Sequence, residues 1–330
     1  MSKRLRPVNG AIRRSPVYAL SMDPAIDQHF APPWLRQLPE LPAWTHQRPA
    51  APWNLRGMLA AWEDHPRSMD FLEPSSPNFH YKEVQTRLYL GRLKGLIEAL
   101  PMSSLVLDMG CGIGRTLLPL AERGHRVTGV DACLPSLQAA ARHIQTALAS
   151  GAILEGGSPR LFWDDVEQLN CLEGEDRYQL ILALELICYL HDPRTVLEQL
   201  AARLEDGGHL VISVEAWPGA LLCDPIALDS PERIQRALDD RIIAVEGDRW
   251  VRALDASELE SILRSVDLDV VGIEGSHFFP DGPLAACLDL ERLKDPGYVD
   301  AVLELEHRCS TDPQVNQLPR ALLAVARKRG

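Results

Sequence analysis

The chain has 330 residues, 46% of them hydrophobic and 24% charged, with a formal net charge of -12. That length suits one large domain with extensions, and the composition is that of a globular protein. The acidic balance argues against a nucleic-acid partner, which needs clustered Lys and Arg, and no apolar run approaches the length of a membrane span.

Residues 1–22 carry Lys3, Arg4, Arg6, Arg13 and Arg14 and no acid. They read as a loose basic tail rather than an organelle transit helix, because Pro7 and Pro16 interrupt any amphipathic pattern. Twelve of the 25 prolines and four of the seven tryptophans (Trp34, Trp44, Trp53 and Trp62) fall in the first 80 residues. Residues 1–80 are therefore expected to be a Pro/Trp-rich extension, disordered over about the first 22. From about 30 to 80 it is expected to be irregular and docked through its aromatics, either over a pocket mouth or as a linker with core anchors.

From Tyr81 the spacing of Val84, Leu88, Leu93, Leu96 and Ile97 predicts a helix that Pro101 ends. SLVLDM reads as a strand and is followed by a glycine-rich loop and a helix carrying Leu117, Leu118 and Ala121. HRVTGVD is a second strand, and Pro135 opens the helix after it. RLFWDD is a short third strand, and YQLILALEL has the unbroken apolar character of a fourth, buried on both faces. In the next helix Asp192 caps, Pro193 takes the first position, and Gly207-Gly208 stop it. HLVISVE is a fifth strand, and residues 216–254 are an insertion of mixed character. A helix follows in which Ser257 and Glu260 match a capping box, and then LDVVGIEG and RALLAVARK as sixth and seventh strands. The alternation predicts an α/β domain over 81–330, a doubly wound, seven-stranded, mostly parallel sheet.

The loop after the first strand decides the ligand. Gly110, Gly112 and Gly114 permit backbone angles closed to other residues and let a ligand approach the main chain. A dinucleotide loop, G-x-G-x-x-G, would place its last glycine at 115, which is Arg115. No Walker sequence is present. Asp108 closes the strand, and a carboxylate beside a pyrophosphate costs about 1 to 4 kcal/mol of repulsion. A cationic ligand turns that cost into a gain, and S-adenosylmethionine has an ammonium, a sulfonium and no phosphate.

VLDMGCGIGR resembles motif I of the class I S-adenosylmethionine-dependent methyltransferases, and GVDAC, WDDVEQL, YQLILALELICYLHDP and LEQLAARLEDGGHLVISV resemble the family's later segments in order. The matched core covers about 81–215. The resemblance implies a Rossmann-like methyltransferase fold of the small-molecule type, with S-adenosyl-L-methionine as cofactor. It implies a cofactor site made of Asp108, Gly110, Cys111, Gly112, Gly114, Asp131, Ala132, Asp165, Val166 and Leu184. Asp131 would accept from both ribose hydroxyls. Asp165, rather than its neighbour Asp164, would face the adenine amino group with Val166 beside the ring. Tyr189 stands where small-molecule members often have His, so no general base carries over, and Gln179 replaces an Asp of structural character.

Open sheets bind ligands beyond their strand ends, which makes Tyr189, Glu215, Trp217 and His277 candidates for the acceptor side. Arg87 could reach the cofactor carboxylate or lie on a solvated face. Cys111 is assigned to packing. The seven cysteines are scattered, without CxxC or HExxH patterns, so neither a metal site nor a disulfide framework is indicated and a reducing cytoplasm is expected. The expected partner is a small-molecule methyl acceptor, with no nucleic acid and no membrane. The expected reaction is attack by an O, N or C nucleophile on the sulfonium methyl, mainly by positioning and desolvation. A dehydrogenase fails at residue 115, whereas another S-adenosylmethionine-type group transferase or a non-catalytic binding module would share the fold.

Overall fold

The computed structural model describes residues 26–27, 51–167, 169–172, 176–190, 192–224, 228–245 and 249–330. The tail expected over 1–22 and the irregular segment expected over 30–50 lie outside the described residues. The remainder of the extension is more regular than its prolines suggest. After the two-residue strand β1 (Ile26–Asp27) come helices α1 (Ala51–Asp64) and α2 (Pro66–Met69). Pro52 and Pro66 sit at helix starts, where a missing N–H costs nothing. Trp62 of α1 donates its indole N–H to Ser136 Oγ at 2.9 Å, and α1 also touches the insertion strand Arg249–Leu254.

The core begins with α3 (Phe79–Glu98) and continues β2 (Leu105–Met109), α4 (Leu117–Glu122), β3 (Arg126–Asp131), α5 (Leu134–Ala149), β4 (Arg160–Trp163), β5 (Tyr178–Ala183), α6 (Pro193–Arg203) and β6 (Leu204–Ala216). After the insertion come α9 (Ala256–Ser265), β9 (Leu268–Ser276), α10 (Pro296–Thr311) and β10 (Ala321–Lys328). The strands lie in the order β4-β3-β2-β5-β6-β10-β9, with β1 added beside β4. The pairs within β4-β3-β2-β5-β6 are parallel, while β10 runs antiparallel to both of its neighbours. These seven strands are the seven expected from the sequence. The order reverses between β2 and β5, and an open sheet of this kind has its ligand crevice beyond that point.

Alternation within the strands feeds two cores. Leu107, Met109, Ile181 and Ala183 face α6 and α9, whereas Val106, Leu180, Leu182 and Val211 face α3, α4 and α5. Gln179 keeps the structural part played elsewhere by an Asp: its Oε1 accepts the Leu105 N–H at 2.6 Å and ties β5 to the start of β2.

Three local expectations are corrected. The run YQLILALEL is strand only to Ala183; Glu185 then takes a positive φ of 55° and turns the chain. Helix α6 ends at Arg203, before Gly207-Gly208, because β6 already pairs from Leu204 with Tyr178. The capping box of α9 is Asp255 with Glu258, not Ser257 with Glu260: Asp255 accepts the Ser257 and Glu258 N–H groups, and Glu258 accepts the Asp255 N–H at 2.9 Å.

The insertion consists of α7 (Gly219–Cys223), α8 (Pro231–Asp240) and the hairpin β7 (Ile242–Val245) and β8 (Arg249–Leu254). Strand β8 pairs with the C-terminal end of β6 through Glu215–Ala253 and Ala216–Leu254. The insertion therefore adjoins the C-terminal end of β6. On the far side, α10 packs against α3 through Val84, Phe278, Phe279, Val299 and Val302. No helix among the described residues is long and apolar enough to cross a membrane.

Glu306 of α10 is completely buried; its Oε1 accepts the Phe279 N–H at 2.6 Å and its Oε2 has no partner among the described residues. Burial pushes its carboxyl up to about 7, opposed by the N–H groups of Phe279 and Phe278. Folded Glu306 thus holds a proton at pH values where the unfolded chain has lost it, so its contribution to stability falls as pH rises from about 4 to about 7. Glu306→Gln, which mimics the protonated acid, should leave Tm near wild type at pH 4.5 and raise it by a few degrees at pH 8, as read by thermal denaturation at both values.

Candidate active site at the sheet's switch point

The glycine loop leaves β2 at Met109 and enters α4 near Thr116. Gly110, Gly112 and Gly114 have φ of 70°, 55° and 92°, which a side chain would oppose. At Gly112 a Cβ would meet no atom within 4 Å, so the loop presents open space there. The loop is held from below. Gly110 and Cys111 both donate their N–H to Val130 O, at 2.8 and 3.1 Å, and Gly114 donates to Cys111 O at 2.9 Å. Gly112 donates to Asp131 Oδ2 at 2.8 Å. Four amides that a phosphate would require are therefore engaged within the protein.

Asp131 ends β3. Its Oδ1 also accepts the Cys133 N–H at 2.7 Å, so a single carboxylate links the loops after β2 and β3. Burial pushes its carboxyl up from the usual range, and the Cys133 and Gly112 amides oppose that shift. The neighbouring carbonyl of Ala132 accepts the Trp163 indole N–H at 2.9 Å.

Asp108 has a different place from the one its position suggests. It is 2% exposed, and Oδ2 accepts the Thr116 hydroxyl at 2.7 Å. Burial pushes it up to about 7, with Thr116 and Arg115 opposing. It joins the strand end to the start of α4 beneath the loop rather than facing the crevice. Cys111 is buried under the same loop, and burial, with Asp131 and Asp108 beside it, pushes its thiol far up, which rules out a ready thiolate.

Beyond β4, the two adjacent acids separate clearly. Asp164 is fully buried and accepts the Asp165 and Cys171 N–H groups at 2.8 and 2.6 Å. Asp165 is 7% exposed and accepts the Glu167 N–H at 3.0 Å. Val166 and Leu184, at the ends of β4 and β5, are buried in apolar surroundings.

The acceptor candidates lie at or after the ends of β5, β6 and β9. Glu215, near the end of β6, is ion-paired with Arg320 at 2.6 Å. Trp217 lies under the Arg241 guanidinium, 4.1 Å from its ring centroid, and with Tyr189 packs on the insertion's core. His277, just past β9, is 3% exposed; its Nδ1 is 3.0 Å from Ser276 Oγ, and its Nε2 has no hydrogen-bond partner among the described residues. Burial lowers its pKa to about 4 despite Glu185 and Asp281, so the ring is neutral at pH 7. Arg87 pairs with Asp300 of α10 on the exposed surface.

The residue that joins the two halves is Glu185, which no local sequence motif singles out. Its carboxylate Oε1 accepts the Tyr89 hydroxyl at 3.0 Å, pairs with Arg115 at 2.9 Å and lies 4.0 Å from His277 Nε2. Its backbone N–H donates to Ser213 Oγ at 2.7 Å. Burial raises its carboxyl, but Arg115, with Lys82, holds it well below the usual range, so it is ionised at neutral pH. Its side chain remains 42% exposed. Glu185, His277 and Asp281 are three non-glycine residues with φ between 55° and 60°. Strained backbone of this kind collects at functional sites. The one signal in the sequence was an acid ending an apolar run.

The methyltransferase domain family model matches residues 81–273, more than half of the chain. Among curated proteins, the chain is 26% identical over 194 residues to a ubiquinone biosynthesis O-methyltransferase of Vibrio vulnificus, covering 59% of this chain and 74% of that one. Among solved structures, magnesium protoporphyrin IX methyltransferase from Synechocystis PCC 6803 aligns with a TM-score of 0.50 at 14% identity, over 83% of this chain and 99% of that one. An S-adenosylmethionine dependent methyltransferase from Mesorhizobium loti aligns with a TM-score of 0.50 at 18% identity, over 74% and 100%. At these identities the structural likeness is one of fold. Family match, strand order and glycine loop agree: the chain belongs to the S-adenosylmethionine-dependent methyltransferases of the class I fold.

Proposed function

We propose that this enzyme methylates an O, N or C nucleophile of a small-molecule acceptor, with the cofactor laid across the ends of β3, β2 and β5. The observation that carries the reading is the glycine loop whose amides are engaged internally, with Asp131 beside it. Such a loop offers a ligand shape and carboxylate acceptors, not the cluster of N–H donors that a diphosphate needs.

Asp131 would accept from the ribose hydroxyls, since each of its oxygens has a lone pair left after its one backbone bond. Asp165 and Val166 would meet the adenine, and the Gly110–Gly114 backbone with Leu184 would line the centre. The cofactor supplies a methyl group on a sulfonium whose loss leaves a neutral thioether. The protein's work is then alignment and exclusion of water, worth on the order of 7 to 11 kcal/mol when the geometry is tight. A hydroxyl acceptor would also need a base. Neutral His277, with its bare Nε2 near the Glu185 carboxylate, is the group placed for that.

We further propose residues 81–330 as the methyltransferase unit, with 216–254 as one wall of the acceptor site and α1 lying across its mouth. The curated relative's O-methyltransferase name favours an oxygen nucleophile. Seven unpaired cysteines fit a reducing cytoplasm.

Isothermal titration should give micromolar-range binding of S-adenosylmethionine and S-adenosylhomocysteine and none of NAD, with roughly tenfold or greater loss in Asp131→Ala. NAD binding at wild-type strength would overturn the reading. In Gly112→Ala the strained φ costs about 1 to 2 kcal/mol, and the new methyl enters the ligand's space, so S-adenosylhomocysteine affinity should fall further than stability does. An acceptor screen by mass spectrometry should show a gain of roughly one CH₂ per turnover; a heavier gain would mark a different group transfer.

A further inference from the structure

We propose that the Arg115–Glu185 ion pair is the receptor for the amino-acid end of the cofactor, and that binding exchanges this internal pair for two external ones: Glu185 to the ammonium, Arg115 to the carboxylate. The inference rests on the cofactor reading above.

Placement comes first. Arg115 follows the last loop glycine, and Glu185 stands two residues beyond the end of β5. The turn after β5 packs on the glycine loop closely enough that a Cβ on Gly110 would lie 3.1 Å from Leu186 Cδ1. With adenosine over β3 and β4, the other end of the molecule reaches the β2–β5 junction, one to two strand spacings of about 4.8 Å away. Arg115 and Glu185 are at that junction.

Charge comes second. The tail of this cofactor is a zwitterion, and a site for it must offer both signs while remaining neutral when empty. The 2.9 Å pair does so. Glu185 has a further oxygen, Oε2, with no hydrogen-bond partner among the described residues, and its side chain is 42% exposed although protein rings it. Arg115 is 13% exposed and lies over the Tyr89 ring, 5.4 Å from its centroid, so its stem is held while its fork can turn.

Support comes third. Ser213 accepts the Glu185 N–H, Tyr89 donates to Glu185 Oε1, and Tyr89 and Ser213 are bonded to each other at 3.1 Å. These contacts keep the carboxylate in place when Arg115 turns to a ligand. The positive φ at Glu185 is maintained by the same contacts.

The test compares S-adenosylhomocysteine with 5′-methylthioadenosine, which keeps the adenosine and thioether but lacks the amino-acid end. Isothermal titration is run on full-length wild type, Glu185→Gln and Arg115→Met. Each variant should lose about tenfold or more for S-adenosylhomocysteine and stay within about twofold for methylthioadenosine, whose binding also reports an intact fold. Equal losses on both ligands, or no loss, overturn the proposal. Wild type alone gives a second readout that needs no variant: decarboxylated S-adenosylmethionine should bind about tenfold more weakly than S-adenosylmethionine, and equal affinities would remove the role of Arg115. Failure of wild type to bind any adenosyl ligand would instead overturn the cofactor reading itself.

Discussion

One carboxylate, that of Asp131, joins two loops that the rest of the site depends on. Each of its oxygens holds a backbone N–H, one from the glycine loop and one from the turn into α5. Without it, Gly112 would have an unengaged donor in a left-handed conformation and the loops after β2 and β3 would lose their common anchor. The interaction also sets the sign of the crevice. A backbone amide that could have recognised an anion is consumed, and a carboxylate takes its place. Negative character at the glycine loop thus comes from Asp131, while Asp108 works underneath, bonded to Thr116.

The other half of the crevice follows a related rule. Its buried charges come in pairs, Glu185 with Arg115 and Glu215 with Arg320, while Asp281, which is exposed, accepts from the Tyr81 hydroxyl and the Gln85 amide. Buried charges persist only when paired and hydrogen-bonded. Pairing also leaves the empty site near neutral, so a ligand with both signs can replace protein partners without stranding a charge. His277 fits this pattern as the neutral member, its proton held off by burial within a ring of acids and bases.

Much of this was legible in the sequence because it is local. Seven strands, their alternation with helices, the glycine loop and Asp131 each follow from short-range patterns, and their order in space follows from the crossover rule. Other features needed distant partners. Glu185 reads as strand in sequence because six apolar residues precede it or flank it; only the neighbouring β2 and β6 ends show that the chain must turn there. Arg115 was visible as the residue that breaks a dinucleotide pattern, but its partner lies far along the chain. The start of α9 is ambiguous in sequence because Asp255–Glu258 and Ser257–Glu260 both spell a capping box, and the folded chain uses the first. Helices α1 and α2 were hidden by prolines that turn out to begin helices rather than break them.

The antiparallel strand β10 carries a consequence for biogenesis. It follows both of its neighbours in the chain, yet it lies between β6 and β9 rather than at a border. While a ribosome is still translating α10, both flanking strands wait with unsatisfied edges, and β9 has no sheet to join. Vectorial synthesis therefore cannot complete this fold piece by piece; closure comes in one late event, and that interval is when the nascent chain is most exposed to aggregation.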